Sequence, residues 1–564
     1  TSLSVVGVSL VGLLFLKKQW MLSKKFGFVT PAEMFSAYFK SDLIRILIVI
    51  IGIGFAVPFI AMQLSLAGIM LSIVTDNMIG SGSASLLLGC IIVVYLSLSG
   101  IRSLIFIDTF NFLLTIFGIV ALGFVVYDLV GGWNLLNESL SRISNIKESL
   151  FNIKESYNSY LTVPGTVKIV EILDSDLNYG GIWTSSMILT FVLAISGIII
   201  SPSFSMLVFS SREVKSIGTQ HVWFSSFLIG FILIFFTSAI GIGSIFLGSN
   251  EVINQTGNNI SNVLPGNISP DNLGGLVPHI INVIGEYSPL FFGLLLICGI
   301  ASVQSASIIY ISTSALLTRD VLKKFFIQNM NSNEQIFSFR IILMVLFIFS
   351  LILSIQTPNS IFDLGSFSLG IACQMFVPLL AICYFPWLTK NGVALGIIVG
   401  IITVFFTEQI GQVMFGNLIN WEKWPLTIHS AFWGILFNSI SAVVISFITQ
   451  DTKENNHKNK IHEFFDDHRN LSMSRRSLKP SAWIVTVSWI FFSIGPGLLI
   501  GNRMFGNPNN VESWSFGMPS IWVWQIIFWL LGVVLVWFLA FKMGMSAPSD
   551  KTIISQSEDV GGRS

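Results

Sequence analysis

The sequence predicts an all-α protein that crosses a membrane many times, and three observations carry that prediction. Of its 564 residues 53% are hydrophobic and only 10% charged, where an ordinary soluble domain has about 25% charged residues. The apolar residues gather into about thirteen runs of roughly 17 residues or more, and about 20 suffice for a helix to span the hydrocarbon. The loops between the runs alternate between basic and nearly free of Lys and Arg, the asymmetry that sets orientation in a bilayer. Lipid offers no partner to backbone N–H and C=O groups, so spans of this length and composition are helices.

The runs lie near 3–20, 43–74, 84–100, 108–130, 182–208, 219–248, 287–317, 336–356, 361–387, 393–410, 426–448, 482–501 and 519–543. The first is followed by Lys17, Lys18, Lys24 and Lys25 and by no small-residue cleavage site, so it is a span and not a signal peptide. The later basic loops hold Arg102, then Arg212 and Lys215, then Arg319, Lys323 and Lys324, then Lys390, then the stretch 452–479. That side is expected to be cytoplasmic, with the C-terminus on it. The long loops 131–181 and 249–286 fall on the outer side.

Run 43–74 carries Pro58 and the intramembrane carboxamide Gln63, which predicts an interruption. Asp108 opens the run 108–130, where an acid is equally a helix cap facing the dipole and a functional group. Run 182–208 contains Ser196-Gly197 and Ser201-Pro202-Ser203. Pro202 lacks an N–H and frees a carbonyl one turn back, and Gly197 loosens the backbone there. The segment reads either as a kink in a packed helix or as a broken helix of the kind that builds transporter sites. Run 287–317 crowds Ala301, Ser302, Gln304, Ser305, Ser307, Ser312, Thr313 and Ser314 into its second half, a face that glues helices together or lines a cavity. Run 361–387 carries Asp363, Ser366, Ser368, Gln374 and Pro378, a third polar and breakable helix. Gln63, Gly197, Pro202, Ser366 and Ser368 are the residues expected to face a substrate.

Residues 451–480 read as a charged, solvated cytoplasmic linker. His457, His462, Asp466, Asp467 and His468 show no regular ligand spacing, so a metal site is not expected there. Residues 481–545 form an accessory hairpin whose Trp514, Trp522, Trp524 and Trp529 suit an interfacial belt, and 546–564 a cytoplasmic tail. Cys90, Cys298, Cys373 and Cys383 fall inside apolar runs and read as small hydrophobes. A formal net charge of +1 gives no reason to expect nucleic acid. No phosphate-binding glycine loop, dinucleotide fingerprint, zinc pattern or nucleophile elbow is present in the sequence, so an enzyme is not expected.

An ordered set of stretches resembles the sodium/solute symporters that take up proline, pantothenate, sugars and small carboxylates. These are FGFVTPAEMFSAYFKSD (26–42), Gln63, Tyr95 with SGIRSLIFIDTFN (99–111), GGW (131–133), the segment 287–325, and Pro378 with Gly392, Gly396 and Gly400. The resemblance covers residues 1–450 and implies a core of two inverted five-helix repeats working by alternating access. It further implies a sodium site built from the Ala301 carbonyl and the side chains of Gln304 and Ser305. Gln304 stands where the family usually has Ser, Leu207 where it often has Arg, and Asn111 where it has Gln. A carboxamide oxygen still suits a hard cation. The family's first core helix has no counterpart here, so the resemblance implies about two further spans upstream of Thr1.

The function expected is secondary active transport in the cell membrane: Na⁺-coupled uptake of a small polar organic solute. With no paired arginine or carboxylate in the expected cavity, that solute is neutral or zwitterionic rather than strongly charged. The alternative is a solute-sensing membrane domain that signals through a cytoplasmic partner. A channel is less expected, since nothing resembles a selectivity filter.

Overall fold

Short capping motifs start many of the helices in the computed structural model. The structure describes residues 2–98, 101–137, 161–167, 182–247, 274–357, 361–415, 421, 423–467, 477–508, 510–547 and 553. Of the long loops expected over the outer mouth, residues 138–160, 168–181 and 248–273 lie outside the described residues, as does most of the C-terminal tail. Helix α1 (Ser2–Phe26) ends on Lys24 and Lys25. Thr30 and Glu33 close a capping box on α2 (Pro31–Phe39), with Pro31 in its first turn. Ser41 then caps α3 (Asp42–Val74).

The longer of the remaining described helices are α4 (Ser81–Leu98), α5 (Ile101–Val130), α6 (Ser185–Ile200), α7 (Pro202–Ser210), α8 (Lys215–Ser244) and α9 (Leu276–Tyr287). They continue with α10 (Pro289–Phe326), α11 (Ser332–Gln356), α12 (Ile361–Cys383), α13 (Lys390–Thr407), α14 (Ser430–Ile448), α15 (Thr452–Asp467), α16 (Lys479–Ser493) and α17 (Ser520–Lys542). Eleven helices are long and apolar enough to cross a bilayer, and two bent pairs raise this to as many as thirteen. These are the runs the sequence marks.

Four spans are interrupted among the described residues, one of them by the 54° bend between Lys479–Ser493 and Pro496–Asn502. Between α6 and α7 the axis bends by 48°. Ser201 caps the second half, its Oγ accepting the Phe204 N–H at 3.3 Å, with Pro202 in the first turn. Helix α10 passes through a 3₁₀ turn at Gln304–Ala306 and α12 through another at Cys373–Met375. Tight turns of this kind inside long helices often mark hinges. The interruption expected at Pro58 and Gln63 is absent: α3 runs unbroken through 33 residues with Pro58 buried inside it. A transmembrane helix tolerates proline where packed neighbours hold it, and α3 is embraced by α4, α10, α11 and α12.

Helices α13 and α14 make the most intimate pair in the bundle. A Cβ on Gly396 would lie 2.5 Å from Asn438 Oδ1 and 2.7 Å from the Asn438 carbonyl, so the backbones touch where only glycine fits. At the other end of the chain α17 packs on α1, α8 and α16. The tryptophans expected at the lipid interface are mostly inside this packing. Trp514, Trp524 and Trp529 are buried, and their indole N–H groups donate to the carbonyls of Asn507, Phe492 and Ser226 at 3.0, 2.9 and 2.8 Å. A buried indole needs an internal partner, which these carbonyls supply.

The expectation of a solvated linker is also corrected. Helix α15 lies docked against α2 and the turn before α13, because its face is only nominally polar. Lys458 is fully buried, its Nζ donating to the Leu388 carbonyl at 2.6 Å and paired with Glu454. The Lys458 ammonium lies 4.6 Å from the centroid of the Phe39 ring, and Phe465 joins the main core. The stem of such a lysine covers apolar surface while its head finds oxygens. Glu454 in turn accepts the Lys390 N–H at 2.7 Å. His462 Nε2 meets the Tyr38 hydroxyl at 2.9 Å.

Burial, helped by Lys18 and Lys458 and opposed by Asp466, lowers the His462 pKa to about 4. A base with a lowered folded pKa contributes stability above its ordinary value near 6.5 and loses it as pH falls toward 4. Acidification from pH 7 to 4 should therefore undock α15, read as faster protease cleavage between residues 449 and 480. His462→Gln should abolish that pH dependence; an unchanged profile would show that His462 is not the trigger.

Candidate functional site

The polar second half of α10 is met by α5. Helical periodicity puts residues three apart on one face, and two such pairs form rungs between these helices. Ser307 Oγ donates to Asp108 Oδ1 at 2.8 Å, and Asn111 Nδ2 donates to Gln304 Oε1 at 2.7 Å. The second rung sits on the 3₁₀ turn itself. A turn that tightens the backbone inside a helix redistributes its carbonyls, and Ala301 lies buried just before it. Gln304 thus has its oxygen engaged by Asn111, and one lone pair of that oxygen remains for a further partner. The side chain of Ser305 lies outside the described residues. Further along α10, Tyr310, Thr313 and Ser314 are buried with hydroxyls that have no partner among the described residues, an arrangement that interior water or a polar ligand normally completes.

The break between α6 and α7 faces a different helix. A Cβ on Gly197 would lie 2.9 Å from both the Leu369 carbonyl and Cys373 Sγ, so glycine allows α6 to touch α12. The Cys373 thiol donates toward the Leu193 and Ala194 carbonyls at 3.6 and 3.5 Å, partners for backbone oxygens just before the bend. Pro202 is buried at the start of α7. On α12 the Ser368 hydroxyl turns back to the Gly365 carbonyl at 2.7 Å. Gln63 is half-buried on α3, the helix that packs against both α10 and α12. The structure therefore gathers Gly197 and the Ser366–Ser368 turn along α12, and Ala301 and Gln304 along α5 and α10, with α3 in contact with both groups.

Ser366 belongs to a network that sequence reasoning missed. Its Oγ donates to Glu408 Oε1 at 2.5 Å and meets His429 Nε2 at 2.9 Å. Glu408 and His429 are both fully buried. The available signal was an acid at the end of one apolar run and a histidine at the start of the next. A second missed network lies at the far end of α10, where Arg45 Nη1 donates to Asp320 Oδ1 at 3.0 Å and Arg319 pairs with Glu33.

The sequence profile of the sodium:solute symporter family matches residues 2–400. The chain belongs to that family. As a symporter it is a transporter rather than an enzyme, and transporter sites are typically built from interrupted helices. Among solved structures, this symporter is similar to a Na⁺-coupled sialic acid symporter in a substrate-bound, outward-open state. That likeness has 16% identity and a TM-score of 0.57 over 79% of this chain and 84% of the other. At this identity the likeness speaks to the fold, an inverted-repeat symporter bundle. No curated protein sequence matches the symporter closely enough to count as a relative.

Proposed function

We propose that this chain couples Na⁺ entry to the uptake of a small neutral or zwitterionic organic solute by alternating access. Residues 1–450 form the transporting core, and the basic face carrying the end of α1 and the docked α15 lies in the cytoplasm of the cell. The observation that carries this reading is the tight turn in α10 at Gln304–Ala306, set among oxygen-bearing side chains that lie against α5. In the proposal the Ala301 carbonyl, Gln304 and Ser305 bind Na⁺, a hard cation that prefers oxygen ligands. Gln63 and the break at Gly197–Pro202 border the solute, and the turn holding Ser366 and Ser368 forms the wall behind them. Sodium bound at the turn favours one packing of α10, and solute entry next to the α6–α7 break then becomes coupled to it through α3.

The test is thermal stability of the purified protein in NaCl against choline chloride. A bound ion at 100 times its dissociation constant stabilises by about 2.7 kcal/mol. Gln304→Ser, which keeps an oxygen, should retain sodium-dependent stabilisation, and Gln304→Leu should lose it. Equal sodium responses in wild type and Gln304→Leu would remove Gln304 from the site, and no sodium response in wild type would remove sodium coupling.

A further inference from the structure

The residues around Glu408 form a closed polar chamber, of which the transport reading uses Ser366 alone. Glu408 follows the last turn of α13, and three donors converge on one of its oxygens. Ser366, Ser430 and Trp424 Nε1 reach Oε1 at 2.5, 2.6 and 3.1 Å. The other oxygen, Oε2, is buried with no partner among the described residues. Among the described residues no cation is paired with the carboxyl. Lys423 is paired with Asp363 and lies 4.0 Å from the centroid of the Trp424 ring. His429 is held neutral by its cap role: its Nδ1 accepts the Ala431 N–H at 3.1 Å, which leaves Nε2 to carry the proton toward Ser366. From α6 Thr190 and Phe191 approach, Thr190 accepting the His429 N–H and Phe191 meeting the His429 ring edge-on, and neither titrates.

The hydrogen bonds therefore have one direction: His429 Nε2–H to Ser366 Oγ, and Ser366 O–H to Glu408 Oε1. An ionised Glu408 would place its charge on a pair of oxygens of which one has three donors and the other none, in a site sealed from water. Leaving an anion's oxygen buried and bare is costly, and the group escapes that cost by taking up a proton. Oε2 is the atom with room for it.

We propose that Glu408 is a proton-binding site: with α12 packed as here it holds a proton on Oε2, and it releases that proton to water when the first half of α12 withdraws Ser366 and opens the chamber. On closing, the carboxylate takes a proton back from water, so no other reactant is involved. Burial raises the pKa of Glu408, against the hydrogen bonds from Ser366, Ser430 and Trp424 and the charge of Lys423, and it lowers that of His429, with Lys423, to about 3. The lowered value leaves the His429 imidazole uncharged around neutrality, and the direction for Glu408 favours its protonated form. The three elements joined at the chamber are the first half of α12, the α13–α14 loop and α6, so proton occupancy favours the packed arrangement of all three.

The sign is fixed by linkage. A carboxyl whose folded pKa is raised lends its stability below the ordinary carboxylate range and loses it as pH rises through the folded value. The experiment is infrared difference spectroscopy of the purified full chain titrated from pH 5 to 9, with thermal stability measured alongside. Neither readout needs a solute or sodium, so the result stands apart from the transport assay. A protonated-carboxyl C=O band that disappears on raising the pH, and is missing in Glu408→Gln, is the expected result. Glu408→Gln should also flatten the pH dependence of stability, because the amide stays neutral. Ser366→Ala removes one donor to the anion and should move the band's midpoint up by about one pH unit. If Glu408→Gln fails to fold, that shift decides the matter. A titrating band unchanged by both substitutions, or no such band in wild type, overturns the proposal.

Discussion

Asp320→Ala is expected to lower the stability of the folded protein by about 3–5 kcal/mol, the usual result of leaving one member of a buried ion pair behind. Asp320 is fully buried and Arg45 nearly so, and they meet at 3.0 Å between the end of α10 and the start of α3. Arg45 also has a looser contact with exposed Asp42 at 3.7 Å. Removing the aspartate leaves a buried guanidinium without its close partner. Removing both charges at once is a different experiment. Arg45→Met with Asp320→Leu fills the space with apolar atoms and should be markedly milder than either single change. The measurement is a thermal-denaturation series of the two singles and the double in detergent. A single Asp320→Ala costing less than about 0.5 kcal/mol, the range of a surface substitution, would show that the pair is not sealed as described.

Gly396→Val should act at the other side of the core with an effect of about 1–3 kcal/mol or more, the range for overpacking a filled interior. Its Cβ would meet the Asn438 backbone carbonyl as well as the side chain, so no rotamer change relieves it. Displacing α14 would also strain the Asn438 Nδ2 contacts to the Gln374 carbonyl and Oε1, both at 3.2 Å, and so disturb the tight turn in α12. Gly241→Ala is the matched control. Nothing lies within 4 Å of a Cβ there, and the helix gains up to about 1 kcal/mol from alanine's lower backbone entropy. Thermal stability of the two variants should move in opposite directions. If both shift alike, helix propensity rather than helix–helix contact governs these positions.

How much of this was legible beforehand depends on the range of the interaction that decides each feature. Spans are decided by local composition, so all the apolar runs recur as helices. The break at Ser201-Pro202 is local too: a hydroxyl cap followed by a residue without an N–H starts a new helix whatever surrounds it. Pro58 carries the same residue type with the opposite outcome, since no capping residue precedes it and neighbours hold α3 straight. The turn at Gln304–Ala306 contains neither Gly nor Pro, and it stands where α5 presents Asn111 and Asp108, contacts almost two hundred residues away in sequence. Charged composition misled for α15, because Lys458 reads as a solvated residue until Leu388, Glu454 and Phe39 are brought around it. The Glu408 chamber needed α12, the α13–α14 loop and α6 to converge, and no spacing in the chain announces that.

The thiol at the joint of the two interrupted helices has one more consequence. Three of the four cysteines are sealed in the packed state and Cys90 alone is exposed. Cys373 is the one whose sulfur touches the carbonyls just before the α6–α7 bend. Any movement that parts α6 from α12 must break those contacts and uncover the sulfur. With Cys90 replaced by serine, the rate at which a small alkylating reagent reaches Cys373 becomes a clock for that movement, built into the protein without a label.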